Sequence, residues 1–248
     1  MYDKKRFFFL PIIRDNKNSL YITDDKNYII ARDEINSPYW IWTIDNISKD
    51  KVKEIMDIIK NNKTEITTIN CRKNLYDEIK KIEKISNVLK INYLECNKVN
   101  TIKLSNGFMD KPNYSDKTLL AHFWQDYSKE LIKPDNISLI DSLNEIDNWL
   151  EDNNSYVWRE KNGKIVCMAN YWEYNGIAKI SYVYTPKDQR KKGYCQSLIH
   201  ELTKLLLERN IEPMLYTDSS NIFAIEAYKK IGYELKETLF RFDITYAS

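Results

Sequence analysis

The sequence predicts an α/β protein with a mixed sheet, arranged as two domains. Short runs of β-branched and aromatic residues, bounded by Asn, Asp and Lys, alternate with longer segments whose apolar residues recur every three to four positions. Asn162-Gly163 and Asn175-Gly176 separate three of the short runs, and Asn-Gly is the strongest short hairpin signal. Turn-forming residues gather between 105 and 113, which predicts a linker and hence domains 1–104 and 105–248.

The N-terminal domain is predicted to begin with strands and to continue with alternating helices and strands. A helix is expected after Ser48, because apolar residues from Val52 to Ile59 fall on one face. The predicted strands are 7–13, 19–23, 28–31, 39–44, 64–69 and 89–94, and a second helix is predicted at 75–85.

The C-terminal domain is predicted to begin with two amphipathic helices, 115–131 and 138–150, whose aromatic residues follow the helical period and indicate core packing. Next come hairpin strands at 156–159, 165–174 and 177–185, a long helix at 194–209, a strand at 214–217 and a helix at 221–231. The region 233–244 is expected to form a last pair of strands. The long helix has a continuous apolar face from Leu198 to Leu206.

Composition excludes several classes of protein. The chain has 38 Lys and Arg against 36 Asp and Glu, a net charge of +2, so no basic excess favours nucleic acid as a partner. Hydrophobic residues make up 43%, which is typical of a globular chain. The apolar run 7–13 is too short to span a membrane, and no cleavage site follows it, so we expect neither a membrane protein nor a signal peptide.

Cysteine and histidine usage argues against a metal site. The four cysteines are widely spaced and form no C-x-x-C, and there are only two histidines, His122 and His200. We therefore expect no metal, no disulfide framework, and reduced thiols in a cytoplasmic protein.

The segment 183–195 carries the clearest chemical signal. A strand ends, a basic turn contains Gly193, and an amphipathic helix begins. A helix N-terminus offers free N–H groups and positive potential to an anion, and glycine lets a phosphate approach the backbone. Arg190, Lys191 and Lys192 add positive charge. The turn matches neither a Walker A loop nor a Rossmann fingerprint, so it indicates a phosphate site of another kind.

Two motifs resemble those of the GNAT N-acetyltransferases. The run Arg190-Lys191-Lys192-Gly193-Tyr194-Cys195 is similar to the acetyl-CoA loop of that family, Gln/Arg-x-x-Gly-x-Gly/Ala, with cysteine as the last small residue. The run from Asn221 to Tyr233 is similar to the family's Asn-x-x-Ala-x-x-x-Tyr-x-x-x-Gly-Phe. The resemblance covers about residues 117–242, and it is closest to predicted bacterial acetyltransferases with an extra N-terminal domain. That domain is then either a degenerate GNAT-like unit or a separate α/β module.

The resemblance implies an N-acetyltransferase that uses acetyl-CoA and an amine acceptor in a ternary complex, with no covalent acyl-enzyme. The strand before the loop would bind pantetheine, and an N–H at Val183 could stabilise the oxyanion. The phosphates would meet the backbone from Arg190 to Gln196, and Tyr228 would protonate the departing thiolate. The implied cofactor-binding residues are Tyr182, Val183, Thr185, Arg190, Lys191, Lys192, Gly193, Tyr194, Cys195, Gln196, Asn221 and Tyr228.

The general base and the acceptor stay open at the level of sequence. Glu173 and Asp218 are candidates for the base, and a water chain is an alternative to both; His122 and His200 are weaker candidates, since His200 is expected on the outer side of its helix. The alternatives to a small-amine acetyltransferase are an acyl-CoA-binding sensor without turnover, and an enzyme that acylates a protein or aminoacyl acceptor. A homodimer is also left open.

Overall fold

Residues 5–62, 65–131 and 137–246 are described by the computed structural model. Their contacts divide the chain into two compact units. The first unit runs to Tyr93 and also takes in 217–221 and the residues from Leu235 onward, whereas the second contains 94–216 and 222–234. This division differs from a single cut between residues 104 and 105, because the last strand of the chain packs with the N-terminal unit.

The first unit is a mixed sheet with helices. Its elements are α1 (Phe9–Asp15), β1 (Leu20–Thr23), β2 (Tyr28–Arg32), β3 (Tyr39–Thr43), α2 (Lys49–Asn61), β4 (Ile66–Arg72), α3 (Lys73–Ile79), β5 (Ile85–Glu95) and β11 (Glu234–Thr245). The strand order is β1-β2-β3-β4-β11-β5, with β3 and β4 parallel and β4 and β11 antiparallel. Its core lies between the sheet and α2 and α3, and includes Ile30, Ile41, Ile55, Ile69 and Phe242.

Several predictions for this unit are wrong, and local packing explains why. Residues 7–13 are predicted as a strand, but Phe9–Asp15 form a helix whose Leu10 and Ile13 are buried. In a run of seven apolar residues, the helical period of 3.6 and the strand period of 2 cannot be told apart. Pro11 is tolerated because it lies in the first turn of the helix, where N–H groups have no intrahelical acceptor. The helix predicted at 75–85 ends at Ile79, and the first residue of the strand predicted at 64–69 lies outside the described residues.

The second unit is a mixed sheet with helices on both faces. Its elements are β6 (Phe108–Asp110), α4 (Lys117–Leu131), α5 (Leu139–Asp152), β7 (Ser155–Arg159), β8 (Ile165–Tyr174), β9 (Ile177–Tyr184), α6 (Tyr194–Glu208), β10 (Glu212–Asp218) and α7 (Ile222–Ile231). The strand order is β10-β9-β8-β7-β6, and only β9 and β10 are parallel. The mixed α/β class and the alternation of elements are as the sequence predicts.

Two hydrophobic clusters cover the faces of the second sheet. One joins the sheet to α6 and α7 through Leu198, Leu202 and Ile231, which are fully buried. The other joins the opposite face to α4 and α5 and is rich in aromatic rings. Asn175 and Gly176 both have positive φ angles, +50° and +75°, as a two-residue hairpin between right-twisted strands requires. In the part of the chain that the structure describes, no helix has the length and apolar composition needed to cross a bilayer.

Two further predictions are corrected in the later part of the chain. The segment 105–113 contains the strand β6, which pairs antiparallel with β7 from Phe108↔Arg159 to Asp110↔Val157. The region 233–244 forms the single strand β11, whose Leu239–Thr245 stretch pairs with β4. A three-residue strand is too short for period-2 patterning to detect. In β11 the buried residues Phe240, Phe242 and Ile244 do alternate, and the sequence does not show that the strand is unbroken.

Candidate functional site

Among the described residues, the end of β9 has no strand partner on the side of β10. Parallel pairing between β9 and β10 extends over Glu212–Leu215 and reaches β9 only as far as Ile180, although β9 continues to Tyr184. Unpaired backbone N–H and C=O groups on such an edge are available to an extended ligand. The open edge begins where the strand changes its conformation.

A β-bulge lies at the start of this open edge. Asn170 on β8 faces Ser181 and Met168 faces Tyr184, so two residues of β9, Tyr182 and Val183, stand opposite one residue of β8. Tyr182 has a φ of +55°, a conformation that a bulky residue adopts only when its surroundings hold it there. Bulges re-aim the backbone and end pairing, and they occur often beside active sites.

The Tyr182 ring holds the bulge in place. It stacks on Trp149 with centroids 5.2 Å apart and meets the edge of Trp124 at 4.8 Å. Burial raises the pKa of the Tyr182 phenol, with a smaller contribution from the carboxylate of Glu145. The side chain is therefore an anchor in the aromatic cluster of α4 and α5, and the part of Tyr182 that is free to meet a ligand is its backbone.

The loop after β9 leads to a helix N-terminus with unsatisfied donors. Gly193 precedes α6 with a φ of +79° and provides no side-chain cap. The first hydrogen bond of the helix runs from the Ser197 N–H to the Gly193 carbonyl, at 2.9 Å. Within the described residues, the N–H groups of Tyr194, Cys195 and Gln196 have no acceptor. Three free donors at the positive end of a helix dipole are the arrangement that favours an anion, and they make this turn a candidate anion-binding site.

The packing of the protein itself favours glycine at position 193. A Cβ at this position would lie 2.7 Å from the Ser105 hydroxyl oxygen. That hydroxyl donates to the Lys192 carbonyl at 2.7 Å, and the Ser105 N–H donates to Ser197 at 2.8 Å. Ser105 thus braces the loop against α6, a role the sequence analysis missed, since a serine among turn formers carries no signal of a contact 92 residues away.

The basic residues of the loop have different roles. The Arg190 guanidinium donates to the Thr185 carbonyl at 2.9 Å and pairs with Glu130 at 2.7 Å, so it holds the loop and does not present a free charge. Lys192 donates to the side chain of Gln189 at 2.9 Å. Lys191 is exposed and has no ion-pair partner among the described residues. Because the acceptor for Lys192 is a neutral amide, Lys191, Lys192 and the helix amides all provide positive potential at this loop.

A group of thiols and phenols lies beneath the loop. Thr185 donates to the sulfur of Cys167 on β8 at 3.2 Å, and Cys195 packs against the same hydrophobic cluster that contains Cys167. Tyr228 on α7 is 7% exposed and lies within electrostatic range of both thiols. Burial, with these neighbours, raises the pKa of Tyr228 well above its ordinary value. A phenol in this environment stays protonated and can donate a proton.

Each of the other predicted side chains has its own surroundings. The Tyr194 hydroxyl donates to Glu160, and this bond ties the Tyr194 side chain to the hairpin between β7 and β8. Glu173 is exposed near the end of β8. Asp218 accepts two bonds of 2.7 Å from the N–H and hydroxyl of Ser220, and its carbonyl accepts from the Asn221 N–H. These bonds give Asp218 a turn-capping role just before α7.

The two histidines are placed differently from each other. The expectation that His200 faces outward is wrong: it is buried and contacts the Asn100 carbonyl at 3.0 Å and Glu201 at 2.8 Å. His122 is exposed and contacts Gln125. A search of the described residues finds no group of three His, Cys, Asp or Glu side chains that could hold a metal ion.

Comparison with a protein-family model identifies the second unit. The model of the acetyltransferase (GNAT) family matches residues 118–233. This segment is a GNAT acetyltransferase domain. The match includes the bulged strand, the anion loop, α6 and α7, whereas Ser105, which braces the loop, precedes it.

Solved structures agree on the fold. A GNAT-family acetyltransferase from Colwellia psychrerythraea has a TM-score of 0.65 at 12% identity, covering 98% of this chain and 90% of its own. A GCN5-related N-acetyltransferase from Kribbella flavida has a TM-score of 0.65 at 11% identity, covering 98% and 94%. One from Sphaerobacter thermophilus has a TM-score of 0.64 at 12% identity, covering 95% and 84%. Among curated proteins, none matches the sequence.

These comparisons indicate acyl transfer as the general activity. The recognition of a GNAT domain and the mixed α/β fold, both expected from the sequence, are confirmed. The similarity to these solved structures covers nearly the whole chain, so the fold of the N-terminal unit is also shared with them. At sequence identities of 11–12%, this similarity concerns the fold alone.

Proposed function

We propose that the protein transfers the acetyl group of acetyl-CoA to a primary amine by direct attack in a ternary complex. The observation that carries this proposal is the succession, within one unit, of an unpaired strand edge after Ile180 and a helix N-terminus with three free amides. CoA consists of a pantetheine arm with amide groups, which an unpaired strand edge can bind, followed by a pyrophosphate, which a helix N-terminus can bind. The two features follow each other here in the order that this ligand needs.

The backbone would do most of the binding. The open groups of Tyr182, Val183 and Thr185 would pair with the pantetheine amides, while the amides from Arg190 to Gln196 would hold the pyrophosphate. An N–H at Val183 would stabilise the negative charge that develops on the thioester oxygen. Asn221 would bind the cofactor arm or, alternatively, cap the helix that follows it. Because backbone groups fixed by a bulge and a helix need little reorganisation, the site would be largely formed before the ligand arrives.

The chemistry requires one proton to leave the amine and one to reach the sulfur. The amine nitrogen attacks the thioester carbon, the carbon–sulfur bond breaks, and the thiolate accepts a proton. Tyr228 is the proposed donor, since burial keeps its phenol protonated. Glu173, Asp218 or a water chain would take the proton from the amine, and the exposure of Glu173 favours solvent-coupled removal. No metal is assigned to the reaction, and four free cysteines support a cytoplasmic protein.

A thiol-release assay tests the proposal. Purified protein is mixed with acetyl-CoA and a panel of polyamines, amino acids, aryl amines and peptides, and free CoA is measured with and without each amine. The proposal expects amine-dependent release with at least one class. Calorimetric binding of acetyl-CoA without release for any amine would instead support a sensor, and selective release with peptides would support a protein or aminoacyl acceptor.

A further inference from the structure

A coil formed by residues 96–107 is fastened to α6 by two polar side chains of that helix. Ser197 accepts from the Ser105 N–H at 2.8 Å, and one helical turn later His200 contacts the Asn100 carbonyl at 3.0 Å. Ser197 and His200 are only 1% and 9% exposed, so both contacts are shielded from water. The coil in turn reaches the anion loop, because the Ser105 hydroxyl donates to the Lys192 carbonyl at 2.7 Å.

Both ring nitrogens of His200 face hydrogen-bond acceptors. Nε2 lies 3.0 Å from the Asn100 carbonyl oxygen, and Nδ1 lies 2.8 Å from a carboxylate oxygen of Glu201. A neutral imidazole has one N–H and one lone pair, so it can donate to one of these oxygens while its lone pair faces the other. The doubly protonated ring donates to both. The two contacts therefore specify an imidazolium that is paired with Glu201.

Among the described residues, Glu201 is the charged group that contacts this ring. The lysines on the surrounding elements are exposed, and in the described part of the chain none of them bonds to His200; they are Lys98 and Lys103 in the coil, Lys204 on α6, and Lys229 and Lys230 at the end of α7. Water and salt screen exposed charges, so the Glu201 carboxylate has the strongest influence on the ring. Loss of the ring proton would act directly on the contacts with Glu201 and Asn100.

We propose that His200 is a positioning residue for the anion loop: as an imidazolium it fixes the coil on α6, and the coil braces the loop through Ser105. The effect on ligand binding rests on the proposed CoA site, whereas the protonation of the ring does not. When the ring loses a proton, one of its two contacts is lost and a lone pair faces an oxygen, which loosens the coil. Because one net hydrogen bond corresponds to about three- to tenfold in an equilibrium constant, CoA binding should weaken by about this factor as rising pH removes the proton from His200.

Calorimetry with CoA between about pH 5 and 8, where histidine is the side chain that ordinarily titrates, tests this effect. Wild-type protein should bind CoA more weakly at the alkaline end. Glu201→Gln should lose this dependence, because the new amide can donate to Nδ1 of a neutral ring whose Nε2 still donates to Asn100. The matched control is His122→Gln, since His122 is the other histidine of the chain and is exposed; its profile should equal that of wild type. Ionisation of CoA itself is common to all three proteins. Equal profiles for wild type and Glu201→Gln would overturn the proposal.

The route through the coil is tested with Ser105→Ala, which removes the hydroxyl that reaches Lys192. This variant should bind CoA more weakly at the acidic end, and the remaining pH dependence should be smaller than in wild type. An undiminished pH dependence would contradict transmission through Ser105.

Nitrogen-15 NMR of the histidine rings tests the protonation state without CoA. The His200→Gln variant identifies the signals of His200, because the chain has two histidines. At the acidic end both ring nitrogens should carry protons, and their titration should coincide with the loss of CoA affinity. A His200 ring with one unprotonated nitrogen throughout the range would overturn the inference. Wild-type protein that binds no CoA at any pH would refute the proposed function, and the spectra would still decide the state of His200.

Discussion

Replacing Gly193 with alanine tests the anion loop, because the structure separates two costs of the added Cβ. The first is conformational: Gly193 has a φ of +79°, and a non-glycine residue in that region costs about 1 kcal/mol or more. The second is local, since the Cβ would lie 2.7 Å from the Ser105 hydroxyl that braces the loop. We expect Gly193→Ala to weaken CoA binding at least tenfold, which corresponds to about 1.4 kcal/mol.

Gly176 provides the matched control. Its φ is +75°, nearly that of Gly193, and its Cβ would meet nothing within 4 Å. Gly176→Ala should therefore carry the conformational cost alone, lowering the free energy of unfolding by about 1 kcal/mol and leaving CoA affinity unchanged. Urea denaturation measures the first quantity and calorimetry with CoA the second. A folded Gly193→Ala protein that binds CoA like wild type would refute the assignment of the loop.

Three further predictions concern the acid, the rim charge and the segment 105–113. Tyr228→Phe should lower kcat and kcat/KM by about 10²–10⁴-fold and leave CoA affinity within a few-fold of wild type. Because burial raises the pKa of Tyr228, the kcat of the wild-type enzyme should fall only above the ordinary tyrosine range, about pH 10. Full activity in the Phe variant would exclude Tyr228 as the acid. Lys191→Met should weaken CoA binding about two- to fivefold, and the effect should shrink as the salt concentration rises. Arg190→Met should weaken binding less, because Arg190 is already paired with Glu130. Calorimetric titrations at two salt concentrations measure both effects, and a larger loss for Arg190→Met would contradict this prediction. Chymotrypsin should cut after Tyr114, which is 66% exposed in the turn that follows β6, before Phe108, whose backbone pairs with β7. The reverse order in a time course would contradict the described packing of β6.

The spacing of apolar residues predicted most helices and strands of the second unit, because these elements are regular and follow one another in the expected order. The buried face of α6 and the Asn175-Gly176 hairpin follow directly from spacing and from turn chemistry. The strand at 7–13 was predicted wrongly, since a short buried apolar run fits a helix as well as a strand. The return of β11 to the first unit could not be predicted either, because strand order depends on contacts between residues more than 150 positions apart.

The candidate site was predictable where it is made of backbone and less so where it is made of side chains. A glycine before an amphipathic helix predicted the anion loop, and the structure leaves the expected amides free. The partners of Arg190 and the brace from Ser105 are long-range contacts, which a local pattern does not contain. The positive φ of Tyr182 likewise depends on the Trp149 and Trp124 rings that hold it.

The most direct test of the account follows the acetyl group itself. Wild-type protein is incubated with acetyl-CoA labelled in the acetyl group and with the amine that gives the strongest thiol release, and the products are separated and measured by mass spectrometry. We expect labelled amide and free CoA in equal amounts, with no label left on the protein. Labelled acetate without amide, or label retained on a protein side chain, would contradict direct transfer to an amine.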